Sequence, residues 1–117
     1  MKDEKAQALL KEWQKRLGLQ EWRIKLKPNC TIEDMDGEEC CGLTAWQEVN
    51  QTAMIRIISE KYYGERVVPF DFEKTLVHEL LHLKTCLLTD VEDETTARVG
   101  HMLIDSLARA LVDAKRH

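Results

Sequence analysis

The sequence predicts an α+β domain: an N-terminal helix, a small three-stranded and mainly antiparallel sheet, then two helices that cover it. Three observations carry this expectation. Apolar residues recur at helical spacing at both ends of the chain, apolar and polar residues alternate in the middle, and an apolar stretch between them is interrupted only by two histidines and a glutamate.

Ala6, Leu9, Leu10, Trp13 and Leu17 lie on one helical face, and Gly18 is a natural stop. Trp22, Ile24 and Leu26 then alternate with Arg23, Lys25 and Lys27, the pattern of a half-buried strand ended by Pro28 and Asn29. Residues 29 to 41 are acidic and rich in turn formers, and are expected as a loop. A second strand is expected over residues 42 to 48, and Asn50 and Gln51 turn it into a third, Thr52 to Ile58. There Met54, Arg56 and Ile58 point one way and Ala53, Ile55 and Ile57 the other. A connector holds Tyr62, Tyr63, Gly64 and Pro69. Asp71 is placed to cap a long helix from Phe72 to about Leu87, whose apolar middle, Leu76 to Leu83, implies burial. Asp90 to Glu94 form an acidic break. The last helix runs to about Ala114 with Ile104, Leu107, Ala108 and Leu111 on one stripe.

With 117 residues, two prolines and no low-complexity tract, residues 1–117 read as a single domain. A net charge of -4 argues against a nucleic-acid partner. No apolar run approaches the ~20 residues that span a bilayer. The charged segment Met1 to Lys15 lacks the apolar core of a secretion signal, and the cysteines (Cys30, Cys40, Cys41 and Cys86) form no CxxC pair. Both point to a cytoplasmic protein with reduced thiols.

His78, Glu79 and His82 form an HExxH motif on the apolar helix. Two histidines four residues apart share a helical face, so both can reach one zinc ion at ~2.0–2.1 Å. Glu79 is about 100° around the helix, beside the metal, where it can take a proton from a zinc-bound water and pass it to a leaving amine. With 4 histidines and 13 glutamates in the chain, the motif is expected by chance only about 0.015 times.

A catalytic zinc needs a third protein ligand and an open position. His101 and Glu94 compete for that place, seven residues apart on the last helix and so on the same face. Asp105, four residues after His101, favours His101, because it can accept the free N–H of a ligating histidine. Arg98 stands at that offset from Glu94 and cannot. Tyr62, Tyr63 and Arg109 are candidates to steady a developing oxyanion. Cys86, one turn after His82, is a candidate ligand or inhibitory thiolate, with a buried small hydrophobe as the plainer role. Cys40 and Cys41 lack the second pair that a separate metal site needs.

The HELLH helix followed by a helix with a third ligand resembles the minimal gluzincin-type metallopeptidases, the minigluzincins and the phage-associated ImmA/IrrE-like peptidases. In these the next helix supplies a Glu ligand, then an apolar or small residue three positions on and Asn or Asp four on. Here Ile104, Asp105, Leu107 and Ala108 fit that frame, and His101 stands where those peptidases have Glu. Leu17-Gly18-Leu19 leading to Trp22-Arg23-Ile24 is similar as well. A distant third histidine also resembles SprT-like domains.

The resemblance implies a zincin-like fold, one Zn2+ ion, hydrolysis of a peptide or protein substrate, most naturally as an endopeptidase, and a phage or mobile-element setting. Zincins bind extended peptides by adding them to a sheet edge beside the metal, and the order of elements makes Thr52 to Ile58 the expected strand. Two other readings stay open. One is a catalytically silent, zinc-stabilised protein-binding module. The other is a metal-free helical interaction protein or homodimer using Leu87, Leu88 and the Leu107–Leu111 stripe.

Overall fold

The computed structural model describes residues 1–37, 40–86 and 93–117. Helix α1 spans Asp3–Arg16. Ala6, Leu10 and Trp13, on one face, are buried. Asp3 and Glu4 open the helix and Lys15 and Arg16 close it, as the helix dipole favours. The chain leaves through Gly18 at φ 69°, a left-handed conformation that glycine adopts without strain.

Strand β1, Arg23–Cys30, runs through the Pro28 and Asn29 expected to end it. It is an edge strand, where a residue without an N–H is tolerated. Its register shifts between Lys27 and Cys30, and Asn29 sits at φ 59°. The strand thus absorbs the proline as an irregularity instead of stopping.

Strands β2, Gly42–Gln47, and β3, Thr52–Ile58, form the expected antiparallel hairpin, with Gly42 opposite Ile57 and Gln47 opposite Thr52. The sheet order is β1-β3-β2, and β1 pairs with β3 in parallel. The sheet is therefore mixed. Strand β2 thus lies at the far edge from β1, and the hairpin folds β3 back between its neighbours. One expectation is corrected here: Thr52–Ile58 is the central strand, and β1 and β2 are the edges.

The connector contains a single helical turn, α2, Glu60–Tyr63. Helix α3, Phe72–Lys84, is capped by Asp71, whose side chain accepts the Lys74 N–H at 3.1 Å. Its expected end at Leu87, the Leu87–Leu88 surface and most of the acidic break (90–92) lie outside the described residues. Helix α4 spans Glu94–Arg116, with Asp93 as its cap. Its buried line is Ile104, Ala108 and Val112, while Leu107 is 42% exposed and Leu111 only partly buried. Four-residue steps keep the side chains facing α3, and Leu107 falls off that line.

The main core lies between Ile55 and Ile57 of β3, Leu10 and Trp13 of α1, Leu76, Val77 and Leu80 of α3, and the α4 line. A smaller cluster, Cys30, Met35 and Ile58, fills the other side of the sheet. Beneath α3, Glu73 is nearly buried and fully used. It accepts the Trp13 indole N–H at 2.7 Å, pairs with Lys115, and takes Arg116 at 3.3 Å. Burial alone would raise its pKa, but these donors outweigh that effect and hold it below the usual carboxylate value. Among the described residues no helix is long and apolar enough to cross a membrane.

Candidate metal centre

Helices α3 and α4 lie side by side and antiparallel, so residues early on one meet residues late on the other. Arg116 pairs with Asp71 at 2.7 Å, Lys74 with Asp113 at 3.2 Å and His78 with Asp105 at 3.4 Å. The same progression brings His101 to His82, with ring centroids 4.7 Å apart. The His78 and His82 rings are 5.1 Å apart along α3.

One ring nitrogen from each of His78, His82 and His101 lies within 4.8 Å of the others. Nitrogens bound to a single zinc at ~2.0–2.1 Å stand roughly 3.3 Å apart, a spacing that modest side-chain rotation can reach. Among the described residues this is the one group of histidine, cysteine or carboxylate side chains close enough to share an ion. Glu94, the competing candidate, is exposed at the first position of α4 and is not in it. Cys86 is buried and also lies outside it.

The electrostatics suit a metal. Burial lowers the pKa of His78, with Asp105 acting in the opposite direction. Burial, reinforced by the neighbouring histidines, takes His82 down to about 4. His82 is thus neutral at pH 7, the form that can donate a lone pair. Asp105 makes its contact across the helix seam, to His78 Nδ1, and not to His101 as expected. A carboxylate on Nδ1 fixes the imidazole so that Nε2 is the free ligand atom. Asp105 is in turn held by Arg109 at 3.3 Å.

Glu79 points away from the seam toward β2. Its Oε1 accepts the Thr44 hydroxyl at 2.7 Å, and its Oε2 stands 4.0 Å from His78 Nε2. Burial raises its pKa to about 7, against the opposing hydrogen bond from Thr44. Gly42, two residues before Thr44, makes room for it: a Cβ there would lie 2.9 Å from Glu79 Cγ and Oε2. Neither Gly42 nor Thr44 was expected from the sequence. The only available signal was the alternation that places both on one face of β2.

These groups border a cavity of about 880 Å³, floored by α3 and walled by β2 and α4. Arg109 and Tyr63, two of the oxyanion candidates, line it, but the Tyr63 hydroxyl donates to the Val68 carbonyl at 2.6 Å. Tyr62 is exposed and not among its lining residues. Cys40 and Cys41 also line it, and burial raises the Cys41 thiol pKa, which works against thiolate chemistry.

Fold and site together define an α+β protein with a three-histidine, metal-competent cluster on two facing helices and a buried carboxyl beside it. No protein-family model, curated protein or solved structure matches the chain.

Proposed function

We propose that this protein is a compact zinc-dependent peptidase of the HExxH type, acting on peptides or proteins in the cytoplasm. One observation carries the reading: the three-histidine cluster stands beside a buried glutamate whose Oε2 faces His78. His78, His82 and His101 would hold one Zn2+ ion. When bound, zinc supplies Lewis acidity that polarises a carbonyl and lowers the pKa of water toward ~7.

The chain's own groups divide the remaining work. Thr44 occupies Oε1 of Glu79 and leaves Oε2 as the proton-carrying atom. A carboxyl with a pKa near 7 can accept a proton from water and return it to a leaving amine at neutral pH. Asp105 steadies His78. Strand β2 is a sheet edge along the cavity wall, so an extended peptide can add to it by main-chain hydrogen bonds. This reading agrees with the resemblance to minigluzincins and ImmA/IrrE-like peptidases.

A zinc-stabilised binding module without turnover is the rival. The exposed Val99, Met102, Leu103 and Leu107 on α4 favour it, since they offer a surface to a partner or a second copy. A structural site, however, has no use for a base beside the metal. The test measures zinc in protein purified without added metal, comparing wild type with His101→Ala and Glu94→Ala. It also compares wild type with Glu79→Gln on a mixed peptide library. The proposal expects zinc loss in His101→Ala only, and cleavage by wild type only. Zinc retained in His101→Ala, or equal cleavage by Glu79→Gln, would overturn it. Zinc without cleavage would leave the binding module.

A further inference from the structure

The seam between α3 and α4 advances by four residues on each helix, first His82 with His101, then His78 with Asp105. One four-residue step further on α3 stands Lys74, and one step beyond Asp105 on α4 stands Arg109; both side chains border the same cavity. Two cations thus border the cavity, Lys74 about one helical turn from His78 and Arg109 about two from His101.

Two other cations on α4 show what a purely structural pair looks like. Arg116 takes both oxygens of Asp71, at 2.7 and 3.0 Å, and also Glu73, while Lys115 bridges Glu12 and Glu73. Those donors are spent on the fold. Among the described residues, Lys74 and Arg109 each have a single carboxylate contact, Asp113 at 3.2 Å and Asp105 at 3.3 Å. An ammonium has three donors and a guanidinium five, so both keep N–H groups for a ligand in the cavity.

We propose that Lys74 and Arg109 form an anion-binding subsite that selects peptides carrying a carboxylate close to the bond held at the metal. This rests on the peptidase reading and adds to it a substrate class. The carboxylate can come from a C-terminus or from an acidic side chain. A guanidinium matches either one in a forked geometry, and the ammonium adds a second charge.

The test is calorimetric binding to the full chain with metal chelated, so that a carboxylate has no ion to bind. The probes are N-acetylated tetra-alanine ending in a free carboxylate or a carboxamide, and carboxamide peptides ending in Glu or Gln. The expected result is about tenfold tighter binding of at least one carboxylate peptide than of its neutral match, lost in both Lys74→Gln and Arg109→Gln. Preference for the free C-terminus alone, for Glu alone, or for both identifies the source of the anion. Equal affinities, no binding, or a preference that survives both substitutions would overturn the subsite. Cleavage of the neutral peptides by zinc-loaded protein would then show that the peptidase reading stands without it.

Discussion

Thr44 Oγ1 donates to Glu79 Oε1 at 2.7 Å, a bond between an edge strand and helix α3 across 35 positions of sequence. It stabilises the charged carboxylate and partly offsets the burial that pushes the Glu79 pKa up to about 7. Thr44→Val should therefore raise that pKa further, and Thr44→Ser should restore it. A 13C NMR titration of the Glu79 carboxyl in metal-free protein measures both.

Glu79 and His82 pull the stability of the metal-free chain in opposite directions. Glu79 titrates at 4.5 unfolded and about 7 folded, so the native state holds the extra proton and stability falls as pH rises through that window. His82 titrates at 6.5 unfolded and about 4 folded, so the unfolded state holds the proton and stability rises from pH 4 to 6.5. Glu79→Gln removes the first contribution alone. Urea denaturation of this variant between pH 4.5 and 6.5 should show a steeper rise with pH than wild type. An unchanged slope would contradict the buried, protonated state of Glu79.

Asp105→Asn leaves the shape but weakens the acceptor at His78 Nδ1. Zinc affinity, measured by competition with a chromogenic chelator, should fall about 10- to 100-fold, as for other carboxylates that orient a ligating imidazole. No change in affinity would mean that the contact across the seam does not orient the ligand.

Gly42→Ala places a Cβ 2.9 Å from Glu79 Cγ and Oε2. Either β2 or Glu79 must move, at about 1–3 kcal/mol of folding stability. The urea midpoint should drop, and an Ala45→Gly control on the outward face should not match it.

Glu73→Ala leaves the Trp13 N–H and Lys115 without their shared acceptor in a nearly buried position. Breaking such a network should cost about 2–4 kcal/mol, and more than Glu12→Ala, whose partner Lys115 keeps Glu73. A cost equal to that of Glu12→Ala would show Glu73 to be no more than a surface partner.

Much of the site was legible because its spacing is local. His78, Glu79 and His82 lie within five residues, and one helix fixes their relation. His101 and Asp105 were legible as a pair, but the partner of Asp105 was misread. Residues four apart on a helix stack along its axis, and the Asp105 side chain instead crosses the seam to the facing helix. Strand order was not legible either. Alternation in Thr52–Ile58 reports which residues face the core, not whether the strand is central, so the edge beside the site was assigned to β3 when it is β2. Gly42 and Thr44 escaped for the same reason, since their role depends on a neighbour distant in sequence.

The Glu73 network ties Lys115 and Arg116 to α1 and the start of α3, and all three buried residues of α4 lie at or beyond Ile104. Among the described residues, the first ten of α4 have no such anchor. Backbone amide exchange in the chelated protein should therefore be graded along this helix, fast near its beginning and slow toward Val112. Zinc would flatten the gradient by gripping His101. In that sense a bound metal would also be a second rivet, reinforcing at the histidine end a seam that the Glu73 network closes at the other.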